Sequence, residues 1–207
     1  STRGGGNGDY YVIVLAPSSV QEMADFMDLA FTLAFKYRMP AMILSDGVIG
    51  QMMEKVVLPP VKPRRTEEEI KKECPWATFG RTPDRKPNII TSLELQPEVM
   101  EIRNQKLLKK YELVKENEVR YETSQCEDAD YLFVAFGSAA RISEKAMELA
   151  REAGLKVGLF RPITLWPFPE KQLEALAKGK KGVLSVEINA GQMVEDVRLA
   201  THGTVPV

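Results

Sequence analysis

Residues 131–138 read YLFVAFGS, and this stretch decides the fold class of the chain. Residues 131–136 are apolar or aromatic without alternation, which is typical of a strand buried on both faces of a parallel sheet. Gly137 and Ser138 then turn the chain into a helix that Gly154 ends. The apolar stripe predicted for this helix consists of Ile142, Ala146, Leu149, Ala150 and Ala153. A buried strand that leads directly into an amphipathic helix indicates an α/β domain.

Strands and helices continue to alternate after this unit. Residues 156–160 (KVGLF) and 183–188 (VLSVEI) are predicted strands, and residues 170–178 and 193–200 are predicted helices. This order implies a parallel sheet with right-handed crossover connections. The sequence therefore predicts a parallel α/β domain over residues 129–207.

A β-α-β unit is predicted near the start of the chain. Residues 10–16 (YYVIVLA) indicate a buried strand, and Ser19 and Glu22 stand at the spacing of a capping box. The helix should run to about Tyr37, and residues 41–44 predict a second strand that ends at Asp46. One such unit buries too little core to fold well alone, so residues 1–57 are expected to be part of a larger α/β domain.

Prolines dominate the middle of the chain, at positions 59, 60, 63, 75, 83, 87 and 97. This density opposes helix interiors and central strands. We predict an extended linker over residues 58–128 that contains one helix, at residues 97–118. Because so long an irregular stretch is rare within one domain, the linker is predicted to join two domains.

The composition limits the classes of function. A net charge of −1 does not indicate nucleic-acid binding, and no apolar run is long enough to span a membrane. Cys74 and Cys126 are too few and too far apart for a disulfide framework or a cysteine-ligated cluster. They predict two free thiols in a reducing cytoplasm, or one regulatory thiol. His202 is the only histidine, which argues against a catalytic triad and histidine-based metal sites, and we predict no catalytic residue and no metal ligand.

Three segments are candidates for ligand contact. The first is a glycine-rich loop before the first strand, formed by Gly4, Gly5, Gly6, Asn7, Gly8 and Asp9. A phosphate loop instead follows a strand and opens a helix, so this segment is either a simple connection or a loop that contacts a ligand through its backbone. Asp46 follows a strand, at the edge where open α/β sheets bind ligands, but aspartate also forms turns. The turn at Gly137 and Ser138 either binds an anion or only caps its helix.

Two segments are candidates for contacts between domains or subunits. Residues 161–169 (RPITLWPFP) predict a rigid excursion that presents Arg161, Trp166 and Phe168. The alternative is an aromatic plug that covers the end of the sheet. Glu187, Asn189 and Gln192 follow a strand at the same sheet edge, where they either bind a neighbouring domain or build the turn.

Four stretches together resemble one family. They are residues 13–22 (IVLAPSSVQE), 43–47 (ILSDG), 161–169 (RPITLWPFP) and 187–193 (EINAGQM). In this order they resemble α subunits of 2-oxoacid:ferredoxin oxidoreductases, above all the branched-chain (2-oxoisovalerate) type. The resemblance implies a partial thiamine-type pyrimidine-binding α/β domain over residues 1–57, a proline-rich linker over 58–128 and a transketolase-carboxyl-terminal-like α/β domain over 129–207.

The resemblance also implies an activity. Such enzymes oxidatively decarboxylate a 2-oxoacid on thiamine diphosphate, form an acyl-CoA and pass electrons through iron–sulfur clusters to ferredoxin. Thiamine diphosphate, magnesium, coenzyme A and iron–sulfur clusters are expected in the whole complex, and none on this segment alone. The expected partners are a β subunit with the thiamine diphosphate and magnesium site, γ and ferredoxin-like δ subunits, and ferredoxin.

The chain departs from the family pattern by omission. The family's proline-threonine substrate motif, its glutamate on the aminopyrimidine and its arginine for the substrate carboxylate have no match here, and the usual last helix is also missing. We therefore expect a fragment that is mainly structural and subunit-contacting, and inactive alone. The alternatives are a transketolase-like enzyme fragment, against which the single histidine argues, and a non-catalytic α/β interaction module.

Overall fold

The computed structural model describes residues 8–81 and 83–207. Two compact units are present, one formed by Ser1–Leu58 with Lys109–Val207 and the other by Pro59–Leu108. In chain order the elements are β1 (Ile13–Leu15), α1 (Val20–Tyr37), β2 (Ala41–Ile43), α2 (Gly47–Gln51), α3 (Glu67–Glu73), α4 (Pro97–Asn117), β3 (Tyr121–Ser124), β4 (Tyr131–Ala135), α5 (Gly137–Glu152), β5 (Val157–Pro162), β6 (Thr164–Trp166), α6 (Glu170–Ala177), β7 (Gly182–Val186) and α7 (Met193–Thr201).

The first sheet has the strand order β2-β1-β6. β1 runs parallel to β2 and antiparallel to β6, and its residues are 0% exposed. Leu15 packs against Phe26 and Ala30 of α1, and the Ser19 hydroxyl caps that helix by accepting a hydrogen bond from the Glu22 amide. The predicted β-α-β unit is confirmed. Because β6 comes from residues 164–166, the early and late parts of the chain share one sheet, which the sequence did not predict.

The second sheet has the strand order β3-β5-β4-β7. β4 pairs in parallel with β5 and with β7, as the alternation of strands and helices predicted. β3 adds an antiparallel edge strand, so the sheet is mixed and the prediction of a purely parallel sheet was wrong. β3 lies within the range predicted as linker. Its sequence, YETS, was missed because it is mostly polar and exposed, as an edge strand permits.

Helix α5 covers one face of the second sheet with small residues. Its buried residues are Gly137, Ser138, Ala139, Ala140, Ser143 and Met147. The predicted apolar stripe was wrong in part, because Ile142 is 64% exposed and Leu149 is 54% exposed. Small side chains at the start of the helix allow its backbone to lie close to the sheet. The small residues, and not the larger Ile142 and Leu149, therefore form the face of the helix that packs on the sheet.

The second unit contains α3 and the first part of α4. Thr66 forms a capping box with Glu69 at the start of α3, a helix that the sequence did not predict. Side chains fasten the irregular segments between the helices: Asn88 donates hydrogen bonds to the carbonyl groups of Pro75 and Trp76, and Arg103 forms an ion pair with Glu94. Most of this segment lacks regular structure, in accordance with its prolines.

Within residues 8–81 and 83–207, no helix is both long enough and apolar enough to cross a membrane. Cys74 and Cys126 are free and buried. In the same described ranges, no group of three or more histidine, cysteine or acidic residues is arranged to hold a metal ion.

Candidate functional site

The carboxyl ends of β2, β4 and β7 meet at one cleft in the first unit. A cavity of about 440 Å³ lies there, next to a smaller cavity of about 210 Å³. Leu44, Phe136 and Glu187, which follow these strands, line both cavities together with Asn189. We call this pair of cavities the cleft. It occupies the sheet edge at which open α/β folds place their ligands.

The larger cavity has an apolar floor and a polar rim. The apolar side chains that line it are Leu44, Phe136, Leu165, Phe168 and Met193. The polar rim consists of Glu187, Asn189, Gln192, Glu195 and Asp196. The sequence did not predict Met193, Glu195 and Asp196 as site residues. Their position in the first turn of a helix that follows a strand is the sequence signal by which they could have been found.

Glu187 is bound by the start of α7. Its carboxylate accepts hydrogen bonds from the backbone amides of Gln192, Met193 and Val194 at 2.9, 2.8 and 2.9 Å, and one from the Ser185 hydroxyl at 3.1 Å. Burial opposes ionisation, but these hydrogen bonds outweigh it and hold the pKa of Glu187 below its ordinary value. The carboxylate is therefore a fixed anion that caps the helix.

Asp46 is likewise bound by backbone amides. One carboxylate oxygen accepts hydrogen bonds from Val48 and Ile49 at 3.0 and 2.9 Å, and the other accepts one from Ser138 at 2.8 Å. Burial raises the pKa of Asp46, but the hydrogen bonds from the amides outweigh this effect and the net shift is downward. Asp46 lines the smaller cavity with both oxygens engaged.

Asn189 and Gln192 present side chains to solvent at the rim of the cleft. The Asn189 side-chain oxygen accepts a hydrogen bond from the Gly191 amide at 2.7 Å, which closes a turn. Gly191 has a φ of +101°, a conformation that favours glycine. Both readings of this segment are thus compatible with the geometry: it builds a turn, and it exposes the Gln192 side chain at the cleft.

Arg161 lies away from the cleft and is buried. Its guanidinium forms ion pairs with Glu22 of α1 at 2.5 Å and with Glu122 of β3 at 2.6 Å, and it also donates to the Ala16 carbonyl. The Glu22 carboxylate in turn accepts a hydrogen bond from the Ser18 amide. Arg161 therefore connects the start of α1 to the second sheet.

Trp166 and Phe168 are 5% and 8% exposed, so the prediction of an exposed aromatic loop was wrong. The physical reason is that residues 164–166 form β6, which pairs with β1 and directs Trp166 into the structure. The Trp166 ring stacks on Tyr11 with centroids 4.8 Å apart and meets Tyr111 edge-on. Phe168 belongs to the core and forms part of the cleft floor. This arrangement matches the alternative of an aromatic plug, and an additional role at a subunit interface stays a prediction.

The glycine-rich start can be located only in part. Gly4, Gly5, Gly6 and Asn7 lie outside the described residues. Gly8 and Asp9 are exposed, and neither lines the cleft. The structure therefore does not bring Gly8 and Asp9 together with Asp46.

The family models account for nearly the whole sequence. Residues 2–123 match "Pyruvate flavodoxin/ferredoxin oxidoreductase, thiamine diP-bdg", and residues 129–207 match "Pyruvate:ferredoxin oxidoreductase core domain II". The chain belongs to the 2-oxoacid:ferredoxin oxidoreductase family. Within this family it is 46% identical over 199 residues to the ketoisovalerate oxidoreductase subunit VorB of Methanothermobacter marburgensis, covering 96% of this chain and 55% of that protein.

A second branch of the oxidoreductase family is also similar. The 2-oxoglutarate synthase subunit KorA of Methanocaldococcus jannaschii is 36% identical over 212 residues, covering 94% of this chain and 57% of that subunit. The chain thus spans about half the length of the curated relatives it matches. This chain also shares its fold with the 2-oxoglutarate:ferredoxin oxidoreductase from Magnetococcus marinus, with a TM-score of 0.72 at 23% identity over 98% of this chain and 40% of that one.

Proposed function

We propose that this chain is part of a subunit of a branched-chain 2-oxoacid:ferredoxin oxidoreductase. The reaction converts a 2-oxoacid, coenzyme A and two oxidised ferredoxins into an acyl-CoA, carbon dioxide, two reduced ferredoxins and a proton. The observation that carries the substrate class is the 46% identity to a ketoisovalerate oxidoreductase subunit, against 36% to a 2-oxoglutarate synthase subunit. The site geometry supports the role of this segment but carries no substrate preference.

We propose that this segment is structural and subunit-contacting. The carboxylates of Glu187 and Asp46 are each engaged by three backbone amides, which leaves little capacity for proton transfer at the cleft. The sequence contains a single histidine, His202, which does not line the cleft. An apolar floor with a polar rim is also a feature of protein contact surfaces, and we propose that the cleft receives a neighbouring subunit.

The cofactors of the reaction are proposed to lie elsewhere in the complex. Within the described ranges no acidic or thiol cluster could hold magnesium or an iron–sulfur cluster, and Cys74 and Cys126 are both buried. We assign magnesium and the iron–sulfur clusters to the neighbouring parts of the enzyme, and with them the sites of thiamine diphosphate and coenzyme A. The match of residues 2–123 to a thiamine diphosphate-binding family model supports thiamine diphosphate as a cofactor of the whole enzyme.

The proposed partners follow from this assignment. Relatives are named as subunits, which supports a multi-subunit enzyme. A β subunit is proposed to carry the thiamine diphosphate and magnesium site. The γ and δ subunits and ferredoxin would complete the path of the electrons. We propose a cytoplasmic location for the enzyme, with which two cysteines that are too few and too far apart for a disulfide framework are compatible.

Assembly with the β subunit from the same organism tests this role. The chain and the β subunit are mixed, and the mass of the product is measured by size-exclusion chromatography with light scattering. We expect a stable complex, because the cleft offers a contact surface. A folded chain that stays monomeric at micromolar concentrations of both proteins would contradict the proposal.

A variant at the cleft rim locates the contact. Gln192→Arg adds bulk and charge to an exposed side chain whose backbone amide, not its side chain, binds Glu187. We expect it to weaken the complex by about tenfold, the effect of perturbing a contact worth ~1.4 kcal/mol. Gln105→Arg on the exposed face of α4 adds the same bulk and charge and is the matched control, and equal affinity of both variants would place the contact elsewhere.

A further inference from the structure

The start of helix α5 carries an unusual cap. The residue before the helix is Phe136, whose side chain cannot accept a hydrogen bond, and none caps the helix locally. The first amides of a helix normally bind a side chain, water or an anion. Here the Ser138 amide donates to the carboxylate of Asp46, which lies 92 residues earlier in the sequence. The cap of α5 is thus supplied by a distant segment.

The same carboxylate also caps helix α2. One oxygen serves Val48 and Ile49, and the other serves Ser138. A single aspartate therefore joins the two helix starts that follow β2 and β4. Both helix starts carry partial positive charge, which stabilises an anion between them.

The close approach at this point depends on glycine. A Cβ atom on Gly137 would lie 3.0 Å from the second carboxylate oxygen of Asp46, and the φ of Gly137 is +60°. Both features disfavour any other residue. We call the hydrogen bonds that the amides of Val48, Ile49 and Ser138 donate to the Asp46 carboxylate the junction. Gly137, Asp46 and Phe136 line the smaller cavity of the cleft, so the junction forms one of the cleft walls.

We propose that Asp46 is the resident anion at the start of α5 and the positioning residue that holds the walls of the cleft together. The turn at Gly137 and Ser138 presents a backbone amide as an anion site does, but the Asp46 carboxylate of the same chain already accepts its hydrogen bond. Asp46 then does not contact a ligand directly. The inference rests on the proposed function only where it concerns what binds in the cleft. The hydrogen bonds of the junction are formed within the chain and do not depend on a partner.

Amide hydrogen exchange tests the junction. Asp46→Asn keeps an oxygen for Val48 and Ile49 but removes the anion from Ser138, and we expect exchange at the Ser138 amide to rise by about tenfold, the factor of a lost cap. Val48 and Ile49 should change by less. Asp25→Asn on the exposed face of α1 is the matched control. Unchanged exchange at Ser138 in Asp46→Asn would overturn the proposal.

A second variant approaches the junction from the other side. Gly137→Ala places its Cβ against the Asp46 carboxylate without altering a charge. We expect the same increase in exchange at Ser138, and no further increase in the double variant Asp46→Asn, Gly137→Ala, because both changes break one contact. Additive effects would mean that the two residues act separately and would contradict the proposal.

Rescue by a small anion separates an anion site from a merely structural aspartate. Asp46→Ala leaves the amides at the start of α5 without their carboxylate, and we expect sodium formate to raise the melting temperature of this variant more than that of the wild type or of Asp25→Ala. Sodium chloride at the same ionic strength controls for general salt effects. An equal response of all three proteins to formate would refute the resident-anion role.

Failure of this inference is distinguishable from failure of the proposed function. The exchange and rescue experiments use the chain alone and require no partner. If they succeed and Asp46→Asn binds the β subunit as tightly as the wild type, the junction is established and the cleft is not the contact surface. If Ser138 is unaffected in Asp46→Asn, the positioning role is refuted whatever the partner does.

Discussion

Replacement of Glu187 is the sharpest test of how the cleft is built. Its carboxylate accepts three backbone amide hydrogen bonds at the start of α7 and a fourth bond from Ser185. A helix cap contributes ~1 kcal/mol and hydrogen bonds to a charged group ~1.5–3 kcal/mol each, and these contributions overlap because they share one carboxylate. We expect Glu187→Ala to reduce the free energy of unfolding by about 3 kcal/mol, and Glu187→Gln, which keeps one acceptor, by about half of that.

Urea denaturation at neutral pH, followed by circular dichroism, measures these losses. Glu148→Ala is the matched control, because the exposed ion pair of Glu148 with Lys145 is expected to contribute less than ~0.5 kcal/mol. A loss for Glu187→Ala that does not exceed that of the control would refute the capping role.

The pH dependence supplies an independent check on Glu187. Its pKa is lowered in the folded chain, so its stabilising contribution is fully present above the pKa of the unfolded chain, ~4.3, and is lost as the pH falls through the lower folded value. The difference in stability between the wild type and Glu187→Gln should therefore shrink on acidification. A difference that stays constant from neutral pH to pH ~3 would contradict this assignment.

Three further predictions concern the rest of the first unit. Arg161→Met should cost about 3 kcal/mol of unfolding free energy, because it leaves Glu22 without its buried cation, whereas the exposed Arg198→Met should be nearly neutral in the same urea titration. Gly158→Ala should be destabilising by about 1–3 kcal/mol, since its Cβ would lie 2.8 Å from the Cys126 Cα, and a melting temperature equal to that of the wild type would show that the contact is absent. Burial raises the pKa of the Cys126 thiol, so Cys126 should react with Ellman's reagent at pH ~8 only after unfolding, and rapid labelling of the folded chain would be incompatible with its burial.

Local sequence patterns predicted the elements that bury continuous apolar runs. Residues 131–136 were recognised as a strand because β4 pairs on both sides within the sheet, where apolar residues are stable. Residues 183–188 were recognised from their β-branched and aliphatic residues, although β7 is an edge strand and Leu184 is 56% exposed. The capping spacing of Ser19 and Glu22 located the start of α1 for an equally local reason. These features depend on neighbouring residues and are therefore readable from sequence.

The features that the sequence did not predict depend on partners far along the chain. β3 is polar because it is an edge strand, and β6 is short and lies in a proline-rich segment, so neither carries a local strand signal. The burial of Trp166 results from pairing of β6 with β1, across about 150 residues of chain. The role of Asp46 similarly required knowledge that α5 starts beside α2.

The candidate site was predicted by position more than by chemistry. Asp46, Glu187, Asn189 and Gln192 were named because they follow strands, and they line the cleft at that edge. Arg161 was named in a segment that resembles the family, but its contacts with Glu22 and Glu122 place it in a buried connection. Position in the sequence therefore located the cleft. Only the structure distinguished the residues that line the cleft from Arg161, which lies away from it in a buried ion-pair network.

The substrate preference of the assembled enzyme tests the central claim most directly. The complex that contains this chain is purified from its source with its natural subunits, and coenzyme A-dependent reduction of ferredoxin is measured with 2-oxoisovalerate, 2-oxoglutarate and pyruvate. The account predicts the highest kcat/KM with 2-oxoisovalerate, and no turnover by this chain alone. A highest kcat/KM with 2-oxoglutarate would contradict the branched-chain assignment, and a complex that reduces no ferredoxin with any of the three would contradict the proposed activity.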